Sequence, residues 1–213
     1  MLKEQFIGRN PSSFKVNSIV EAFIVSETFL WSAWNFVTPI FAIFVVNNIQ
    51  GGNIQIAASA FSTCLVARVV CEIFSGKYLN HKSDKHKLLL AILGMVLMSV
   101  AYIGFAFSHS VIYLFSFYIL IGIGFGIASP AKYSLFTEHI DKERETTEWS
   151  LYDAITLIGI ASATALGGFI ASLYGFTFLF ILASVINLLG TIPYLFFRRY
   201  HSEINILNVE CKD

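Results

Sequence analysis

Charge is what this sequence has least of: Asp, Glu, Lys and Arg together make up 13% of the chain, roughly half their share in ordinary soluble domains. With 56% hydrophobic residues and a mean hydropathy of +0.69, that scarcity excludes a soluble domain and points to an integral membrane protein. The formal net charge is zero, so no basic surface supports nucleic-acid binding. Cysteine is equally sparse. Cys64 and Cys71 fall on one expected helix, seven residues and so ~10 Å apart along its axis, beyond disulfide reach. Cys211 falls in an expected cytoplasmic tail, where thiols stay reduced. All five histidines, His81, His86, His109, His139 and His201, fall in expected loops, tails or segment ends. No metal triad, Ser–His pair or nucleophile motif is visible, so no enzyme, catalytic residue, metal or cofactor is expected. A channel finds little support, since the sequence has no carbonyl-filter stretch or repeated ring of charge.

What the chain does contain is apolar length. A hydrocarbon core of ~30 Å needs about 20 residues of helix, and six segments reach that: 19–46, 54–76, 88–108, 111–135, 149–174 and 176–197. They predict an all-α membrane domain over 19–197, with a polar N-terminal segment at 1–18 and a tail at 198–213. Residues 1–18 show no short apolar core before a cleavage site, so no removable signal is expected. Lys and Arg sit on alternate connections. The N-terminal segment, the 77–87 loop with Lys77, Lys82, Lys85 and Lys87, the 136–148 loop with Lys142 and Arg144, and the tail with Arg198 and Arg199 hold most of them. The connections at 47–53, 109–110 and 174–175 hold none. Because cytoplasmic loops carry the excess of Lys and Arg, both termini are expected in the cytoplasm.

Polar residues inside the segments are the functional candidates. In the first, Glu27, Trp31, Trp34, Asn35 and Thr38 recur at helical spacing along one side. Glu27 lies roughly 12 Å beyond the segment's start, and an ionisable residue at such depth must face protein or a water-filled cavity; the alternative is a neutral or paired structural residue. The second segment holds Arg68 and Glu72, an i, i+4 pair that either neutralises itself for packing or serves a gate or substrate contact. The fifth holds Asp153 and then Gly159, Ala163, Gly167 and Ala171, a small residue at every fourth position, which lets helix backbones approach closely. The third and sixth segments are nearly free of such groups and suit broad lipid contact.

The loop from Gly76 to Lys87 and the fifth segment also carry a family pattern. Gly76, Asn80 and Lys85 stand in the register of a Gly-x-x-x-Asp-Arg-x-Gly-Arg-Lys loop, and Gly159, Gly167 and Gly168 in that of a Gly-x-x-x-Gly-Pro-x-x-Gly-Gly helix. Segment order, loop lengths and sidedness agree, and the chain resembles one six-helix half of a major facilitator superfamily transporter. Asn80 replaces the loop's Asp, Tyr118 stands where members often carry an intramembrane Arg, and Ala163-Thr164 replaces the Gly-Pro associated with antiport. The resemblance implies secondary transport of a small solute by alternating access. It places Glu27, Trp31, Trp34 and Asn35 along a cavity, the 77–87 loop at a cytoplasmic gate, and the second and fifth helices at the junction with a second half. That second half would be another copy of the chain or a separately encoded unit. The competing expectation is a non-transporting remnant or assembly subunit that packs through the same two helices.

Overall fold

A computed structural model describes residues 18–141 and 144–196; the N-terminal segment before Ser18, Lys142, Arg198, Arg199 and Cys211 lie outside them. In lipid the backbone has no water to bond to, so an apolar run closes its hydrogen bonds within a helix. Every long element is accordingly helical, and among the described residues the one strand-like pairing is an isolated bridge between Gln50 and Ser110.

Where the sequence predicts six segments, five continuous spans are long and apolar enough to cross a membrane: Ser18–Asn48, Ile54–Leu79, Asp84–Ala106, Val111–His139 and Glu145–Phe196. The first is helical over Ser18–Val37, tightens to a 3-10 turn at Thr38–Ile40 around Pro39, and resumes over Phe41–Asn48. Proline has no N–H to continue the ladder, which accounts for the change. The fifth span is 52 residues long, and its helix is broken at Gly175, where φ is 81° and ψ is 173°. Positive φ there suits glycine alone, and the chain doubles back. Gly159 lies against Thr28 and Gly167 against Phe36, Phe176 meets Phe44 at 5.4 Å, and Gly190 returns to Ser26 and Phe29. The near arm (145–174) thus runs along the first span and the far arm (176–189) runs back.

The connections are shorter than hydropathy predicts. The second span continues through Lys77 to Leu79, and the third begins at Asp84. Gly76, Lys77, Lys85 and Lys87 are therefore helical, and only 80–83 remains of the expected 77–87 loop. Likewise the fourth span runs to His139 and the fifth starts at Glu145, which shortens the 136–148 loop. Apolarity stops at the first charge, whereas a helix continues into water.

Packing follows an arc. The second span lies on the fourth, the fourth on the third, the third on the far arm, the far arm on the first span, and the first on the near arm. A Cβ on Gly126 would stand 2.5 Å from the Cβ of Cys71 and 2.7 Å from the Arg68 carbonyl, so glycine sets the second–fourth crossing. The third span and far arm carry an exposed apolar side but join through buried polar groups. Asn187 Nδ2 donates to the Met95 carbonyl (2.7 Å) and to Ser99 Oγ (2.8 Å), and Ser184 Oγ donates to the Ser99 carbonyl (3.0 Å). The second span and near arm end the arc. Of the second span's apolar stretch 17% is buried, and of the fifth's 22%, against 39% to 50% for the other three.

Candidate functional site

The arc closes at its middle through charge. Glu27 on the first span and Lys132 on the fourth form an ion pair, with side chains 1% and 2% exposed. Glu27 is nine residues from Ser18 and Lys132 seven from His139, about 13 Å and about 10 Å along their helices. Both helix ends lie on one side, so the charges meet at one depth. Taking two charges out of water costs several kcal/mol each, which only close pairing and further hydrogen bonds offset. The second carboxylate oxygen of Glu27 supplies one such bond, accepting from Trp31 Nε1 at 3.0 Å.

From there a ladder climbs the first span at i, i+4 spacing. Asn35 Nδ2 donates to the Trp31 carbonyl at 2.9 Å, and Thr38 Oγ1 to the Trp34 carbonyl at 2.7 Å. Both indoles face Phe125 of the fourth span, Trp34 edge-on at 5.2 Å and Trp31 at 5.9 Å, while Trp34 also reaches Phe61 of the second at 6.0 Å. Phe125 carries the guanidinium of Arg68 on its ring, 4.9 Å from the centroid. Arg68 donates from Nε to Glu72 (3.2 Å) and from Nη2 to Ser129 Oγ (3.4 Å). At 24% and 36% exposure, Arg68 and Glu72 are half open, unlike the sealed Glu27–Lys132 pair. Tyr133, Tyr152 and Tyr194 lie within electrostatic reach of Glu27.

The structure therefore brings Glu27, Trp31, Trp34, Asn35, Arg68 and Glu72 to one polar and aromatic face. Asp153 stands apart, exposed on the near arm. The small-residue stripe packs as its spacing suggests, but onto the first span of its own chain: a Cβ on Gly159 would meet Thr28 and Ser32, one on Gly167 would meet the Phe36 backbone, and Ala163 is buried. It is not free for another molecule. The sequence reading missed Lys132, Ser129 and Phe125. Their i, i+3 and i+4 spacing on the fourth span was the available signal.

Around the predicted gate loop, Gly76, Asn80 and Lys85 make no side-chain bridge to another span among the described residues. Lys87 does so, donating to both oxygens of Glu138 at 2.5 and 2.6 Å, with Asp84 3.9 Å away. Asp84 in turn lies 3.4 Å from His139 Nε2. The third and fourth spans are tied there by charge.

Comparison with known proteins gives the family and the fold. The model of the Major Facilitator Superfamily matches residues 23–210. Over 87 residues the chain is 34% identical to the bacillibactin exporter of Bacillus subtilis (strain 168), covering 41% of this chain and 21% of the exporter. The crystal structure of PepTSo, a POT family transporter, superposes with a TM-score of 0.76 at 15% identity, over 87% of this chain and 38% of that one. It shares the fold, and the chain spans well under half of its length.

Proposed function

The chain belongs to the major facilitator superfamily, an integral, multi-pass membrane family of transporters, and on that premise we propose that it moves a small solute by alternating access. The fifth span counts as two crossings joined at Gly175, which gives six and leaves both termini on the cytoplasmic side. The observation that carries the reading is the Glu27–Lys132 pair, sealed between the two spans that also present Trp31, Trp34, Asn35 and Phe125. Such a pair adds little to stability relative to apolar packing, so its placement favours a switching role. A proton delivered to Glu27 would discharge the carboxylate, release Lys132 and loosen the first span from the fourth. A bound solute that favours one of the two arrangements shifts their populations by its difference in affinity.

Trp31, Trp34 and Asn35 offer stacking surface and an amide, and Arg68 with Glu72 offers both signs of charge. Because the chain spans 38% of the solved transporter, a second six-helix unit is needed to enclose the solute: another copy or a separately encoded half. The test is uptake into proteoliposomes from a panel of sugars, organic cations and aromatic amphiphiles. At least one solute is expected to enter saturably and with a pH dependence that Glu27→Gln removes. Unchanged uptake and pH dependence in Glu27→Gln would refute the coupling role.

A further inference from the structure

We propose that the face around Phe125 binds an aromatic organic anion, whose ring lies against Trp34 and Phe61 and whose carboxylate, or comparable acid group, is taken by Arg68. The inference rests on the transport reading above and narrows its solute to that class.

The first observation is how Arg68 is held. Its guanidinium lies over the Phe125 ring, 4.9 Å from the centroid, and donates from Nε to Glu72 Oε2 and from Nη2 to Ser129 Oγ. These contacts fix the plane of the fork while engaging two of its five N–H donors. The side chain is 24% exposed, so the rest of the fork opens onto the space in front of the site. A planar fork oriented in advance loses little freedom when it grips a carboxylate, which it can do through two parallel bonds. Arg68 lies about 21 Å from Ile54 and about 16 Å from Leu79 along its helix, too deep for a lipid headgroup. The anion it suits is a solute.

The second observation is the weakness of the partner it already has. Glu72 reaches Arg68 through one bond of 3.2 Å, and its side chain is 36% exposed; a single-contact pair open to water contributes little and parts readily. Glu27 and Lys132 are sealed on each other, so the charges this face offers are Arg68 and Glu72. Of the two, Arg68 adjoins the rings. It shares Phe125 with Trp34 at 5.2 Å and Trp31 at 5.9 Å, and Trp34 faces Phe61 at 6.0 Å. Phe61 and Arg68 are seven residues apart, on one side of the helix and ~10 Å apart along it, with the exposed Leu65 between them. Glu72 stands one turn further on, away from Phe61. A ring resting on Trp34 and Phe61, where stacked and edge contacts hold it, therefore brings its acid group to the arginine first. A cationic solute would have to carry its charge past the guanidinium to reach Glu72.

The experiment is equilibrium binding to the full chain in nanodiscs, corrected with empty nanodiscs, using three probes built on one ring system: 2-naphthoate, 2-naphthamide and 2-naphthylmethylammonium. Naphthoate is expected to bind tightest and the ammonium weakest, and acetate, which has the charge without the ring, to compete poorly. Arg68→Met is expected to weaken naphthoate about 10–100-fold, the worth of hydrogen bonds to a charged group, and to leave the amide unchanged. Glu72→Gln is expected to tighten naphthoate, a gain that a misfolded protein does not give. The proposal is overturned if the ammonium binds as tightly as naphthoate, if no probe binds the folded parent, if Arg68→Met loses amide and naphthoate alike, or if Glu72→Gln weakens naphthoate. Saturable uptake of a sugar or a cation without naphthoate binding would sink this inference and leave the transport reading standing. Naphthoate binding without flux of any solute would do the reverse.

Discussion

Lys132→Met is expected to destabilise the fold by about 3–5 kcal/mol, because it strands the Glu27 carboxylate, 1% exposed, without its counter-charge in a medium of low dielectric. Trp31 Nε1 remains as its hydrogen-bond donor, and one neutral bond does not replace an ammonium. The companion variant separates charge from packing. Glu27→Gln with Lys132→Met removes both charges at similar volume, and its thermal stability in detergent is expected to lie within about 1 kcal/mol of the parent, since neither charge is then left buried and unpaired. Equal destabilisation by single and double variants would show that the site depends on shape rather than charge.

Gly126→Leu is the second large effect. The side chain has nowhere to go: its first carbon alone would stand 2.5 Å from the Cβ of Cys71 and 2.7 Å from the Arg68 carbonyl. Since packed backbones do not yield cheaply, a cost of about 3 kcal/mol or more is expected, with the second span displaced and the hydrogen bond from Arg68 to Ser129 broken. Gly76→Ala is the control, because a Cβ there would only touch Pro130 at 4.0 Å. Its unfolding midpoint is expected to match or slightly exceed the parent's, as alanine favours helix. A Gly126→Leu protein as stable as Gly76→Ala would contradict the close crossing.

Glu27 could be found from the sequence because a carboxylate deep in an apolar run violates the composition around it, whatever it touches. Lys132 could not be weighed the same way. It lies near the C-terminal end of its segment, where a lysine reads as snorkelling to the interface, and only the pairing of the first and fourth spans shows that its ammonium is sealed. The stripe of Gly159, Ala163 and Gly167 announced close helix packing, but spacing on one helix does not name the helix that fills it. The filler is the first span of the same chain. Hydropathy placed the crossings and misplaced their ends, since Lys77 and Lys85 leave the apolar layer without leaving the helix. Tyr174-Gly175 was legible as a turn. That one glycine suffices, with helix hydrogen bonding resuming at once on either side, is a matter of backbone geometry that residue types do not report.

In the proposed mechanism the Glu27–Lys132 pair works rather than merely holds. Its most direct test is solute flux in proteoliposomes by the Glu27→Gln, Lys132→Met double variant, with the transported solute that the parent defines and with folding verified beforehand. The expected result is a stable, monodisperse protein whose flux no longer responds to an imposed proton gradient. A double variant that transports with the parent's rate and gradient response would contradict it and return the pair to a structural role.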